Sequence, residues 1–145
     1  MRPIVKRRFV AQLLDRQIRH HVTAVLDDEP LISMLLEDWL AELGCETIGP
    51  VQSAQSALDM IARTTPDAAI LDVTLQNENS YSVADMLRGR GVRFAFATGH
   101  GASTVAPRFK DAPVLAKPFD LSAVKGIVAK LLDQPAWVES SMHPA

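Results

Sequence analysis

The 145-residue chain has one cysteine, no long apolar run and almost no net charge. A single thiol, Cys45, excludes an internal disulfide and every zinc cage built from paired thiolates. No stretch reaches the roughly 18 consecutive apolar residues a membrane span needs, and no short apolar stretch precedes a small-residue cleavage site. Neither a membrane span nor a secretory signal is therefore expected, and the expected location is the cytoplasm. What remains, 48% hydrophobic and 22% charged residues, fits one ordinary globular domain whose core is large enough to stand alone. Whatever chemistry the chain performs rests on oxygen ligands.

Charge is unevenly placed. Residues 1–21 hold Arg2, Lys6, Arg7, Arg8, Arg16 and Arg19 against Asp15, a local charge of +5, while the rest carries −7. A weakly acidic body has no electrostatic footprint for phosphate backbones, so nucleic-acid binding is not expected of it. In the basic arm, Val5, Phe9, Leu13 and Gln17 recur at helical spacing with Val10, Leu14 and Ile18 beside them, the pattern of a basic amphipathic helix or, failing that, of a disordered extension. Such an arm suits an acidic partner, a homodimer interface or a membrane surface, or has no role if it stems from a mistaken start.

From residue 22 the hydrophobic period alternates between strand and helix, with short turns between. His21–Leu26 reads as a first strand. Pro30 suits a helix first turn, and Ile32, Leu35, Leu36, Trp39, Leu40 and Leu43 form its apolar stripe, ended by Gly44. Cys45–Val51 reads as a second strand, and Ser53 caps a helix with Ala54, Ala57, Leu58 and Ile61 on its buried face. Ala68–Val73 is an apolar run interrupted by Asp72, as expected of a central parallel strand covered on both faces. A helix through Val83, Ala84, Met86 and Leu87 follows, then strands at Arg93–Ala97 and Val114–Ala116. Between those strands, two glycines and two prolines leave room for at most a short helix around Ser103–Ala106. Leu121, Val124, Ile127, Val128 and Leu131 define the last helix, and residues 133–145 read as a tail.

Strands and helices in alternation imply an α/β fold with a doubly wound, five-stranded parallel sheet. Ligands in such sheets sit beyond the C-terminal strand ends, where strand order reverses. Four of the strand ends carry polar residues: Asp27 and Asp28, Asp72, Thr98 and Lys117. Three carboxylates converging there repel one another unless a cation lies between them, and a hard divalent ion with oxygen ligands fits. Mg²⁺ is the natural candidate, with Mn²⁺ as its alternative, completed by phosphate oxygens of a substrate. Lys117 adds a point charge and Thr98 a hydroxyl for the remaining oxygens, so that one carboxylate can act as nucleophile and form an acyl phosphate.

The acidic pair in Val25-Leu26-Asp27-Asp28-Glu29-Pro30, Asp72 in Ile70-Leu71-Asp72-Val73, Thr98 in Ala97-Thr98-Gly99, and Lys117-Pro118-Phe119 together resemble the receiver domain of two-component response regulators over residues 22–132. The resemblance implies a flavodoxin-like receiver fold, with the five strands in the order 2-1-3-4-5, and a bacterial phosphoprotein of two-component or phosphorelay signal transduction. It implies Asp72 as phosphoacceptor, and Asp27, Asp28, Asp72 and the main-chain carbonyl of Thr74 as Mg²⁺ ligands. Thr98 and Lys117 would contact the phosphoryl group, Gly99 would keep its approach open, and the Lys117–Pro118 bond would be cis. The stretch Phe94–Gly101 is similar to the "FAT GUY" subgroup of single-domain regulators, with His100 where tyrosine is commoner and a loop-like fourth helix. Val114 replaces the aromatic residue that many receivers carry three positions before the lysine, so the usual aromatic switch is absent and coupling is expected to run through a mobile 99–113 segment.

The expected function is therefore a stand-alone regulator that takes a phosphoryl group from a sensor histidine kinase or a histidine phosphotransfer protein and signals to a downstream protein by contact. It would catalyse only its own phosphorylation and dephosphorylation. His100 and Thr74 flank the entrance and could tune the phosphate lifetime, although an exposed polar loop residue is the plainer account of His100. Two alternatives are a phosphate sink and a phosphorylation-independent binding module. A haloacid-dehalogenase-type phosphatase fits less well, because that motif wants an acid at position 74 and the chain lacks room for a cap domain.

Overall fold

The computed structural model describes residues 21–133, so the basic arm before His21 and the tail after Asp133 lie outside the described residues. Five parallel strands form one sheet in the order β2-β1-β3-β4-β5, the order that the receiver resemblance implies. They are β1 (Val22–Leu26), β2 (Glu46–Val51), β3 (Ala68–Asp72), β4 (Arg93–Thr98) and β5 (Val114–Ala116). The helices are α1 (Pro30–Glu42), α2 (Ala54–Arg63), α3 (Tyr81–Gly89) and α4 (Leu121–Asp133). Among the described residues no helix is long and apolar enough to cross a membrane.

Strand alternation sorts the core into two layers. Ala24, Leu26, Ala69 and Leu71 face α2 and α3, where Ala57, Ile61, Val83 and Leu87 close over them. Val25 and Ile70 face the other way, against Leu36 and Leu40 of α1 and Val124 and Val128 of α4. Ser53 caps α2 as expected, its hydroxyl accepting from Ser56 N at 3.1 Å. Gly49 is required where β2 bulges against β1: its φ is +89°, and a Cβ there would lie 2.9 Å from both Val25 O and Val51 N. Past that bulge, Val51 O accepts from Asp27 N at 3.1 Å, which ties the edge strand to the head of the site.

The stretch between β4 and β5 holds no α-helix, only two 3₁₀ turns at Ala102–Thr104 and Pro107–Phe109. It is nevertheless anchored. Phe109 is buried in an aromatic cluster, stacked on Tyr81 at 5.4 Å and edge-on to Phe94 and Phe96 at 5.9 and 5.5 Å. The Tyr81 hydroxyl accepts from Ala106 N at 2.9 Å and donates to Thr104 O at 3.3 Å. Arg88 and Arg108 lie over the Phe109 ring and pair with Asp111 and Asp85. Side chains from α3 thus do the holding that an amphipathic helix would otherwise do for itself.

Candidate functional site

The site is assembled from chain reversals at the C-terminal edge of the sheet. Beyond β1, Asp27 is buried, and its Oδ1 accepts from Glu29 N at 2.8 Å, a local turn that fixes the carboxylate before Pro30 starts α1. Its main-chain oxygen accepts from Ser33 Oγ at 3.1 Å. Asp72 ends β3 and is likewise buried, with Oδ1 accepting from Thr74 N at 3.3 Å and Oδ2 from Lys117 Nζ at 3.1 Å. Lys117 is aimed inward from the end of β5: its N–H donates to Thr98 O at 2.9 Å, and the Lys117–Pro118 bond is cis, as expected.

One ammonium therefore meets three acids. Lys117 Nζ lies 2.9 Å from Glu29 Oε1, 3.1 Å from Asp72 Oδ2 and 3.2 Å from Asp27 Oδ2. The last contact is an ion pair without hydrogen-bond geometry, and Asp27 Oδ2 has no hydrogen-bond partner although it is buried. Burial, then the neighbouring Asp27 charge, lifts the Asp72 carboxyl to about 6, against the lowering pull of Lys117. Asp27 is also raised, chiefly by burial, with the Glu29 N–H and Lys117 opposing it. Burial pulls Lys117 down, but its hydrogen bond to Glu29 and the Asp27 and Asp72 charges outweigh that and leave it above the usual lysine range.

Carboxylate oxygens of Asp27, Glu29 and Asp72 lie within 4.8 Å of one another, close enough to hold one cation. An all-oxygen donor set, an excess of negative charge and a buried Asp27 oxygen that accepts no hydrogen bond fit a hard divalent ion such as Mg²⁺. The set differs from the expected one: Glu29 stands in it, and Asp28, expected among the ligands, does not. Glu29 carries no sequence signal of its own, because an exposed glutamate at a helix start reads as a partner of the helix dipole. Only its pairing with Lys117, 88 residues away, gives it a place.

The other expected residues fall around this cluster. Thr98 is the last residue of β4 rather than the one after it, and its buried hydroxyl accepts from His100 N at 3.0 Å. Thr74 and His100 are both exposed beyond their strand ends. A Cβ on Gly99 would meet nothing within 4 Å, so the protein itself places no demand for glycine there. Glu78, in the turn after β3, reaches back to accept from Ala54 N at 3.0 Å and binds that turn to the head of α2.

Comparison with known proteins agrees with this geometry, since residues 23–129 match the profile of the response regulator receiver domain. The chain belongs to that family. The receiver is similar to the solution structure of SdrG from Sphingomonas melonis Fr1, with 41% identity, a TM-score of 0.70, and coverage of 79% of this chain and 98% of that one. It shares its fold with the crystal structure of the response regulator PhyR from Brucella abortus, at 21% identity and a TM-score of 0.72, covering 92% of this chain and 56% of that one. Among curated relatives, the Mycobacterium tuberculosis transcriptional regulatory protein PdtaR is 28% identical over 102 residues, 68% of this chain and 50% of PdtaR. The chain spans about half the length of that relative.

Proposed function

We propose that this receiver is a Mg²⁺-dependent phosphoacceptor of a two-component or phosphorelay system, with Asp72 as the acceptor. The observation that supports it best is the convergence of buried Asp72, Asp27 and Lys117, with Glu29, beyond the C-terminal ends of a parallel sheet. With its carboxyl at about 6, Asp72 is largely ionised at pH 7 and able to attack phosphorus. The new bond joins Asp72 to phosphorus, the bond from phosphorus to the donor breaks, and the donor atom keeps the electron pair. A histidine imidazole on a kinase or phosphotransfer protein suits that role. Lys117 turns from its carboxylates to a phosphoryl oxygen. Thr98 accepts from His100 N and keeps its own proton to donate to another.

A bound Mg²⁺, or Mn²⁺ in its place, supplies positive charge between the carboxylates and the incoming oxygens. Asp27, Asp72 and the main-chain carbonyl of Thr74 would hold it, with Asp28 and Glu29 competing for the remaining carboxylate position. The phosphorylated protein signals by contact with a downstream protein. A phosphate-sink role would use the same chemistry without that contact.

Intact-mass measurement after incubation with Mg²⁺ and a small-molecule phosphodonor tests the proposal. The wild type gains one phosphoryl group, and neither Asp72→Asn nor a chelated sample does. Equal labelling of Asp72→Asn would contradict the assignment. In the same assay His100→Ala changes the decay rate more than the yield, since His100 stands at the entrance and touches the site only through its main chain; unchanged decay returns it to a plain loop residue.

A further inference from the structure

Helix α1 presents to solvent a stripe that nothing among the described residues covers. At its head stand Leu31 and Met34, 63% and 54% exposed, the two large apolar side chains left in solvent among the described residues. Continuing at helical spacing, the same stripe exposes Asp38 and Glu42, with Glu37 at its margin, and α1 has no basic residue. Among the described residues no ion pair reaches these three acids. The arrangement is unfavourable in isolation: Asp38 and Glu42 repel across one turn, and all three acids lie toward the negative end of the helix dipole. The stripe lacks a partner that is apolar at one end and basic at the other.

Residues 1–20 have that pattern. Phe9 and Leu13 precede Arg16 at helical spacing, with Arg19 following. The chain also enters the domain at the right place, since His21 O accepts from Glu46 N at 2.9 Å, beside the C-terminal end of α1. Counting back from residue 20, Arg16, Leu13 and Phe9 fall at steps four, seven and eleven; counting back from Glu42, Asp38, Met34 and Leu31 fall at steps four, eight and eleven. At a common rise of about 1.5 Å per residue, the two patterns come level.

We propose that residues 1–20 dock as an amphipathic helix on the outer stripe of α1, parallel to it, with Phe9 and Leu13 over Leu31 and Met34 and with Arg16 and Arg19 against Asp38 and Glu42. The docking does not depend on the phosphoacceptor reading and is tested without it.

The test uses the full chain with one cysteine on each element, Phe9→Cys with Leu31→Cys, oxidised in dilute solution; the native Cys45 is buried. Phe9→Cys with Ser82→Cys is the comparison, because Ser82 is exposed at the head of α3 on the opposite face of the sheet. The expected result is an intramolecular disulfide forming about tenfold faster with Leu31→Cys than with Ser82→Cys, as a docked segment raises the local thiol concentration. Adding Arg16→Glu and Arg19→Glu removes the advantage, and further adding Asp38→Lys and Glu42→Lys restores it. Equal rates for the two pairs, which would leave the stripe for an outside protein, overturn the proposal. So does a disulfide formed mainly between two chains, which would assign the stripe to a second copy.

Discussion

Replacing Asp72 by asparagine is expected to stabilise the cation-free protein at pH 7 by about 2 to 3 kcal/mol, since a carboxyl lifted from 3.8 to about 6 carries roughly that much unfavourable energy when ionised. The pH dependence has a definite sign. The folded state holds the Asp72 proton more tightly than the unfolded chain, so between pH 4 and 6 it binds more protons. Wild-type stability from this group is fully present below the unfolded value and is lost as pH rises through about 6. Denaturant unfolding in the presence of a chelator should give coinciding curves near pH 4 and a more stable Asn variant at pH 7. Adding Mg²⁺ should close the gap from the wild-type side, because a cation bound by the ionised carboxylates stabilises the folded state that holds it. An Asn variant less stable than wild type at pH 7 under chelation would show that Lys117 already offsets the repulsion.

Phe109→Ala is expected to cost about 3 to 5 kcal/mol, the range for truncating a buried aromatic side chain. Phe109 is 1% exposed and touches Tyr81, Phe94 and Phe96, so its loss opens the centre of the aromatic cluster. The effect should also be local. The Tyr81 hydroxyl holds Thr104 and Ala106, and the Tyr81 ring is placed by Phe109 and Phe96. Hydrogen exchange should therefore speed up across residues 99–113 while the central strand β3 stays protected. A loss below about 1 kcal/mol, the scale of a single hydrogen bond, would mean that the arginines and the Tyr81 hydroxyl hold the segment without the ring.

The alternation of strands and helices and the main acid were legible because each follows from local pattern, whereas the strand order came only with the family resemblance. Asp72 interrupts an otherwise apolar run, and an ionised group there needs a reason. Lys117 and Thr98 were legible only as members of a set, since either residue alone suits an ordinary strand end. Glu29 was not legible: its role depends on where Lys117 arrives from the far edge of the sheet. Phe109 was missed for a related reason. Among Gly99, Gly101, Pro107 and Pro113 it reads as an isolated aromatic in a loop, and its partners on α3 and β4 come from the tertiary fold. Val114, three positions before Lys117, packs against the core layer that contains Phe109. The glycines and prolines of this segment limit it to a short helix at most, and the two 3₁₀ turns agree, but they carry no sign of the cluster that anchors it.

The central claim is that Asp72 itself carries the phosphoryl group. Its most direct test is borohydride trapping, because hydride reduces an acyl phosphate to the primary alcohol and leaves free carboxylates unchanged. The 145-residue protein incubated with Mg²⁺ and phosphodonor, reduced and mapped by peptide mass spectrometry, should carry homoserine at position 72 and aspartate at positions 27 and 28. The conversion should vanish under chelation. Homoserine at Asp27 or Asp28, or a phosphorylated protein that yields no homoserine at all, would contradict the account.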